Sequence, residues 1–403
     1  MSKINYIAKI NFRNDQRWFG IKQADRLFHA YIIGKTGTGK TTLLFQKMIQ
    51  DIEGGLGLAL IDPHGDLADK IIREVPEKRR KDLVFLDAVN QKCLFGYNPL
   101  KRVNKSKRSL AASGIIETLK KLYDAKSWGV KMEHILRNVL LTLLDQEQAD
   151  FSCIPRILLD KQYRNSCLNN IDNEAVKNFW QDEYAHYNSF QKANAITPIL
   201  NKIGAFLSNP YLSNVLISER KQISFRSSMD QKKIIIIKLP KGSIGEDASM
   251  LLGGLLINSI ALAAFSRSDI AEDKRKPFMV YVDEFQSFTT LSIANMLSEL
   301  RKYRVGMILA NQFLSQLEKE IRDSVLGNVG TIISFRLGVS DAKYMANEFY
   351  PVFEFSNIIS LANYHIYLKL MIDGTPSKPF SAETQMASKN LTKNIKKKQD
   401  KRF

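Results

Sequence analysis

Cysteine is scarce in this chain. Three occur in 403 residues, Cys93, Cys153 and Cys167. An odd number at wide spacing excludes a disulfide framework and zinc-finger pairs, and a reducing compartment is the natural setting. Histidine is nearly as rare: His29, His64, His134, His186 and His365 stand singly. None has a partner at ligand spacing, so no histidine metal centre is expected, and His64 reads as a loop residue rather than a metal ligand. A long apolar run is missing too. The best candidate, Leu251 to Phe265, is shorter than the roughly 20 residues of a membrane span and carries Asn258 and Ser259. It reads as a buried core helix. Met1 to Asn11 mixes polar and apolar residues, without the charged stub and apolar stretch of a secretory leader. The expectation is a chain with no transmembrane segment of its own. Acidic residues are in deficit: 41 Asp and Glu face 59 Lys and Arg, a net charge of +18. That excess favours an anionic partner, nucleic acid or a membrane surface, over an unspecialised basic surface.

One phosphate-binding motif is present in full. Gly34-Lys35-Thr36-Gly37-Thr38-Gly39-Lys40-Thr41 fits G-x-x-x-x-G-K-[ST]. Ala30 to Ile33 before it is an apolar run of strand type. Thr42 to Ile49 after it has helical spacing of apolar residues. A surface turn rich in Gly, Thr and Lys would lack these flanks. Glycines let the backbone curl so that successive N–H groups point at phosphate oxygens, and the helix N-terminus adds partial positive charge. Residues Gly34, Lys35, Thr36, Gly37, Thr38, Gly39, Lys40, Thr41 and Thr42 are therefore the candidate ATP-binding set. Lys40 is expected to reach the β- and γ-phosphates, and the Thr41 hydroxyl to ligate magnesium.

Strands and helices alternate along much of the chain. Residues 1–29 are too few for a domain and read as a strand and turn leading into the loop. Leu56–Asp62 and Asp82–Asp87 read as strands. So do Lys233–Leu239, Phe278–Val282, Val305–Ala310, Gly330–Leu337 and Tyr364–Ile372. The alternation predicts an α/β fold with a mainly parallel central sheet. Between Lys101 and Arg226 strand candidates are absent, and helical patterns recur at Ile115–Leu122, Met132–Leu144, Val176–Tyr187 and Ile196–Leu207. This predicts an α/β domain in two parts, 1–100 and 227–385, around an all-helical insertion at 101–226. Residues 386–403 read as a basic disordered tail.

Hydrolysis needs a carboxylate that orders magnesium and a group that activates water. Val280-Tyr281-Val282-Asp283-Glu284 offers both at a strand end, Asp283 for the metal and Glu284 as general base. Two acids capping a strand by chance is the plainer alternative. Gln312 ends the next strand, where an amide can touch the γ-phosphate or its water; it could also be a solvated loop residue. Arg301 and Arg336 each end an element and are candidates for an arginine acting from a neighbouring subunit. Either could instead serve a helix dipole or a surface ion pair. Asp62 in Asp62-Pro63-His64-Gly65-Asp66 lies at the same sheet edge and is expected to order the site.

The motif order has a recognisable pattern. The P-loop, Ile61-Asp62-Pro63-His64-Gly65-Asp66, Tyr97-Asn98-Pro99-Leu100, Val282-Asp283-Glu284-Phe285, Ala310-Asn311-Gln312 and Phe335-Arg336-Leu337-Gly338 surround a helical insertion. This resembles the conjugative coupling-protein ATPases of type IV secretion, within the HerA/FtsK superfamily of DNA-pumping motors. Leu239-Pro240-Lys241-Gly242 and Asp373 to Phe380 also resemble that subfamily. The resemblance spans about Phe28 to Thr384. It implies a RecA-like fold, ATP and Mg2+ as cofactors, and a hexameric ring with ATP sites between subunits. It further implies DNA in the central pore and substrate recognition by the helical insertion. Catalytic roles carry over to Lys40, Thr41, Asp283, Glu284 and Gln312, and an arginine-finger role to Arg301. Membrane-anchored coupling proteins have two N-terminal spans, HerA proteins an N-terminal β-barrel and FtsK proteins a winged helix; none is expected here. A stripped motor core in the cytoplasm, or at the inner membrane through a membrane-anchored secretion partner or relaxase, is the expectation. The competing reading is a nucleotide-gated docking platform that recruits partners without pumping. A small-molecule kinase fits less well, since the acid pair suits water activation.

Overall fold

The computed structural model describes residues 4–384, except 14, 91, 94, 102, 124–127, 218 and 219. The tail at 386–403 lies outside the described residues. In chain order the strands that build the site are β1 (Ile4–Ile10), β2 (Trp18–Lys22), β3 (Ala30–Ile33), β4 (Gly57–Asp62), β5 (Leu83–Asp87), β6 (Ile234–Lys238), β7 (Phe278–Val282), β8 (Val305–Asn311), β9 (Thr331–Ser334), β10 (His365–Lys369) and β11 (Phe380–Glu383). The main helices are α1 (Lys40–Glu53), α2 (Asp66–Glu74), α3 (Arg108–Lys121), α4 (Val130–Leu144), α5 (Ser189–Leu207), α6 (Glu246–Phe265), α7 (Leu291–Leu300), α8 (Lys319–Asn328) and α9 (Val339–Phe349).

The eleven strands form one sheet in the order β2-β1-β11-β10-β9-β3-β8-β7-β4-β6-β5. From β9 through β3, β8, β7 and β4 to β6 the neighbours are parallel. The four strands β10, β11, β1 and β2 extend the sheet in antiparallel fashion. Parallel strands covered on both faces need continuous apolar sequence, and β6 supplies it with Ile234, Ile235, Ile236 and Ile237, all buried. Helix α1 buries Leu44, Met48 and Ile52, one face at four-residue spacing. Each such side chain contributes about 1.5–3 kcal/mol of burial. The parallel register brings the C-terminal ends of β3, β4, β7, β8 and β9 to one edge: Ile33 lies opposite Asn311 and Ser334, and Ile61 opposite Val282. Ligands bind at that edge in open α/β sheets.

The chain divides into two compact units. One is Met1–Val84, Arg226–Lys238 and Arg267–Phe403; the other is Phe85–Phe225 with Leu239–Ser266. These limits differ from an insertion confined to 101–226. Helix α6 explains the difference: it is apolar around its whole circumference and finds burial with α3 in the second unit. It has 20 residues and is long and apolar enough to cross a membrane. Its apolar surface is instead buried in the fold, where Tyr97 donates a 2.7 Å hydrogen bond to the Leu255 carbonyl. The second unit is also not wholly helical. Phe95–Gly96 and Lys221–Gln222 pair as a short parallel ladder.

Candidate active site

The loop from β3 to α1 is shaped by what surrounds it. The Gly34 amide donates to the Asn311 carbonyl at 3.3 Å and the Lys35 amide to the Arg336 carbonyl at 3.0 Å. Both flanking strands thus anchor its start. A Cβ on Gly34 would lie 2.5 Å from the Phe335 Cβ. Gly37 and Gly39 have φ of 78° and 121°, the left-handed region that side chains disfavour. Thr38 Oγ1 donates to the Lys35 carbonyl at 2.6 Å, closing the curl. Lys40 opens α1 and is buried, its ammonium donating to the Gly34 and Lys35 carbonyls. Burial lowers its pKa, and the charges of Asp283 and Glu284 oppose that shift. Thr41 is exposed and Thr42 half-buried at the helix N-terminus. The glycines at 34 and 39 thus form a cradle that a side chain would fill, with a lysine inside it, and this set fits a triphosphate.

The acid pair follows β7. Asp283 is buried, and its pKa is pushed up to about 6 by burial, then by the charges of Glu284 and Asp62, with Lys40 opposing. Glu284 takes φ 49° and ψ 50°. Burial alone would raise its pKa, but His64, Gln286 and Gln312 outweigh it and hold the carboxylate at about 2. The pKa values of two adjacent acids are thereby moved in opposite directions. Gln312 joins the acid to the loop: Thr36 Oγ1 donates to Gln312 Oε1 at 3.0 Å, and Gln312 Nε2 donates to Glu284 Oε1 at 2.6 Å. Gln286 donates to the other carboxylate oxygen. Among the described residues no cluster of three His, Cys, Asp or Glu side chains could hold a metal alone. Thr41 and Asp283 offer a hydroxyl and a carboxylate, oxygen donors of the kind that would hold magnesium.

Residues 21–349 match the sequence profile of the type IV secretion-system coupling protein DNA-binding domain. The chain belongs to this family. Its fold is similar to that of the bacterial conjugative coupling protein TrwBdeltaN70, with a TM-score of 0.71 at 14% identity over 96% of this chain and 90% of that one. A structure of plasmid coupling protein TrwB with ADP and Mg2+ gives 0.68 at 15% identity, over 96% and 91% of the two chains. VirB4 of Thermoanaerobacter pseudethanolicus gives 0.64 at 15% identity, over 97% and 98%. No curated protein matches in sequence. This coupling-family chain therefore has the RecA-like P-loop NTPase fold, with a mainly parallel central sheet.

The two arginines lie at opposite edges of that sheet. Arg336 follows β9 at the P-loop edge, and its guanidinium donates to the Leu361 carbonyl and to Asn363 Oδ1 at 3.0 and 2.9 Å. Arg301 precedes β8 at the far edge, where its guanidinium carbon stacks 3.5 Å from the Phe28 ring centre. It reaches no P-loop atom of its own chain from there. Asp62 spends both oxygens on the loop after β4, accepting from the His64 and Ala68 amides at 2.9 Å each. Three residues of this coupling-family site escaped sequence reasoning: His64 and Gln286, which face Glu284, and Tyr364, whose amide donates to the Thr38 carbonyl at 2.8 Å. Tyr364 carried no local signal, because only strand pairing brings it to the P-loop. His64 lies in the Asp62–Asp66 segment, where a lone histidine suggests a loop residue or a metal ligand and does not point to a distant carboxylate.

Proposed function

We propose that this chain hydrolyses ATP and uses the energy to translocate DNA or a DNA–protein complex. The observation that carries this reading is the unbroken polar path Thr36–Gln312–Glu284 beside the buried Lys40 ammonium. It joins the phosphate cradle to the acid that readies water. Lys40 and the loop amides bind the phosphates. Magnesium, held by Thr41 and through Asp283, would neutralise charge on the transferring phosphoryl group. Glu284 orients the attacking water and accepts its proton. Gln312 reports phosphate occupancy to Glu284. Arg301 sits at the edge away from its own cradle, so its catalytic role is assigned to the next copy in a hexameric ring; Arg336 is assigned to its own chain's loop. The DNA-binding family and the charge of +18 support a phosphate-backbone cargo. Docking on a membrane-anchored secretion partner or a relaxase completes the proposal.

The test is ATP turnover with and without single- and double-stranded DNA, for wild type and Glu284→Gln. DNA should raise the wild-type rate. The substitution should cut kcat by about 10²–10⁴ while ATP binding survives. Turnover that ignores DNA across a range of salt would point to a docking platform.

A further inference from the structure

β4 and β7 are parallel neighbours, and the Asp283 amide donates to the Ile61 carbonyl at 3.2 Å. The loops leaving these two strand ends therefore start side by side. One carries Glu284. The other runs through Asp62, Pro63, His64 and Gly65 into α2.

This second loop is held more firmly than a surface turn requires. Asp62 is fully buried and grips the His64 and Ala68 amides. Gly65 has φ 92°, and a Cβ there would lie 2.8 Å from Lys238 Cε. The Lys238 ammonium in turn holds Asp69 of α2 at 2.8 Å. These contacts fix where the imidazole hangs. His64 Nε2 lies 3.9 Å from Glu284 Oε1, the oxygen that also accepts from Gln312. That is ion-pair distance, and a small side-chain rotation or a bridging water converts it to a hydrogen bond. The imidazole is 41% exposed and the Glu284 side chain 6% exposed. His64 is therefore the more exposed member of the pair, while the half-buried Gln286 and Gln312 hold the two carboxylate oxygens.

We infer that His64 is a positioning residue for Glu284, the more exposed partner that keeps the carboxylate in one orientation toward the attacking water. This rests on the reading of Glu284 as the general base. A carboxylate braced by His64 as well as by Gln286 and Gln312 keeps its aim; without the imidazole it is held by one partner fewer and aims less sharply. Misaimed water lowers kcat and leaves ground-state ATP binding to the P-loop untouched.

The experiment is steady-state ATP hydrolysis by His64→Ala, His64→Gln, Glu284→Gln and the His64→Ala/Glu284→Gln double variant, with thermal melting of each. His64→Ala should lower kcat about 10- to 100-fold, with KM within twofold and melting unchanged. His64→Gln, which keeps a donor of similar reach, should recover most of the rate. The double variant should be no slower than Glu284→Gln, because both changes act on one group. A kcat for His64→Ala within twofold of wild type, a change confined to KM, or losses that multiply in the double variant would each overturn the inference. Side-chain ¹⁵N spectra give a readout free of turnover: the His64 Nε2 resonance should move in Glu284→Gln, and an unmoved resonance counts against the pairing. Wild-type protein that hydrolyses no ATP would instead sink the ATPase reading, and this inference with it.

Discussion

Two glycines in one loop have left-handed backbones, yet they should respond differently to a methyl group. At Gly39 a Cβ would meet Tyr364 Cδ1 at 2.9 Å and Phe335 Cε1 at 3.0 Å, on top of φ 121°. At Gly37 no atom lies within 4 Å, and φ of 78° is the only cost, about 1–2 kcal/mol. Gly39→Ala should therefore weaken ATP binding well over 30-fold, and Gly37→Ala by about 30-fold or less, in equilibrium titration with a fluorescent nucleotide. Equal effects would show that the Tyr364 ring does not set the loop. The contrast marks what was legible at this scale. Gly34 to Thr41 are contiguous, so spacing alone revealed the cradle. Tyr364 and Phe335 sit some three hundred positions away, and their approach depends on β9 and β10 pairing beside β3. No local pattern encodes that.

At the scale of elements, α1 is tied to the sheet by a buried polar network. Arg26 donates to both Asp51 oxygens at 2.5 and 2.6 Å, and Tyr281 of β7 donates to Asp51 at 2.6 Å. Asn5 of β1 donates to Asp51 and accepts from Lys47, each at 3.0 Å. Lys47 is the uneasy member. Burial, then the Arg26 charge, holds its pKa down to about 7, with Asp51 opposing. The unfolded chain keeps the ordinary lysine value of 10.5. Between those two values the unfolded chain binds a proton that the folded one has released, so folding stability should rise with pH across that window. Below pH 7 both states are protonated and the cost of burying the charge is present in full. Lys47→Met should flatten the rise and stabilise the protein at pH 7 by about 1–2 kcal/mol, net of the missing hydrogen bond to Asn5. Urea unfolding at pH 7 and pH 9 checks this; an unchanged slope would show that Lys47 is not its source. Sequence carries no sign of this network, since Arg26, Lys47 and Asp51 look like ordinary surface charges there. The apolar strands β3, β4, β6, β7 and β8 were readable, because burial on both faces demands unbroken apolar runs. β11 was not: Phe380, Ser381, Ala382 and Glu383 alternate weakly and gain their strand only from β1 and β10. The first turn of α6 was also missed, because Glu246 and Asp247 serve the helix dipole rather than the core.

The whole molecule raises the question that one chain cannot answer by itself, namely which copy completes which site. Arg301 and Lys40 belong to opposite edges of the same sheet. In the proposed ring one heterologous interface repeats between successive copies and sets one surface patch of each subunit against a different patch of the next, so that Arg301 would serve a cradle other than its own. In that arrangement Arg301→Ala damages the neighbour's site and Lys40→Ala damages its own. Arg301→Ala rings should keep nucleotide affinity and fall about 10²-fold or more in kcat. Mixing them with inactive Lys40→Ala subunits should restore activity, since the intact P-loop of one then meets the intact Arg301 of the other. Arg336→Ala should not be rescued this way, because its guanidinium is spent on Leu361 and Asn363 of its own chain. The measurement is ATP turnover across mixing ratios after subunit exchange. Recovery peaking at intermediate ratios for Arg301→Ala assigns the in-trans role. A flat response for Arg301→Ala, or recovery for Arg336→Ala, reverses the assignment of the two arginines.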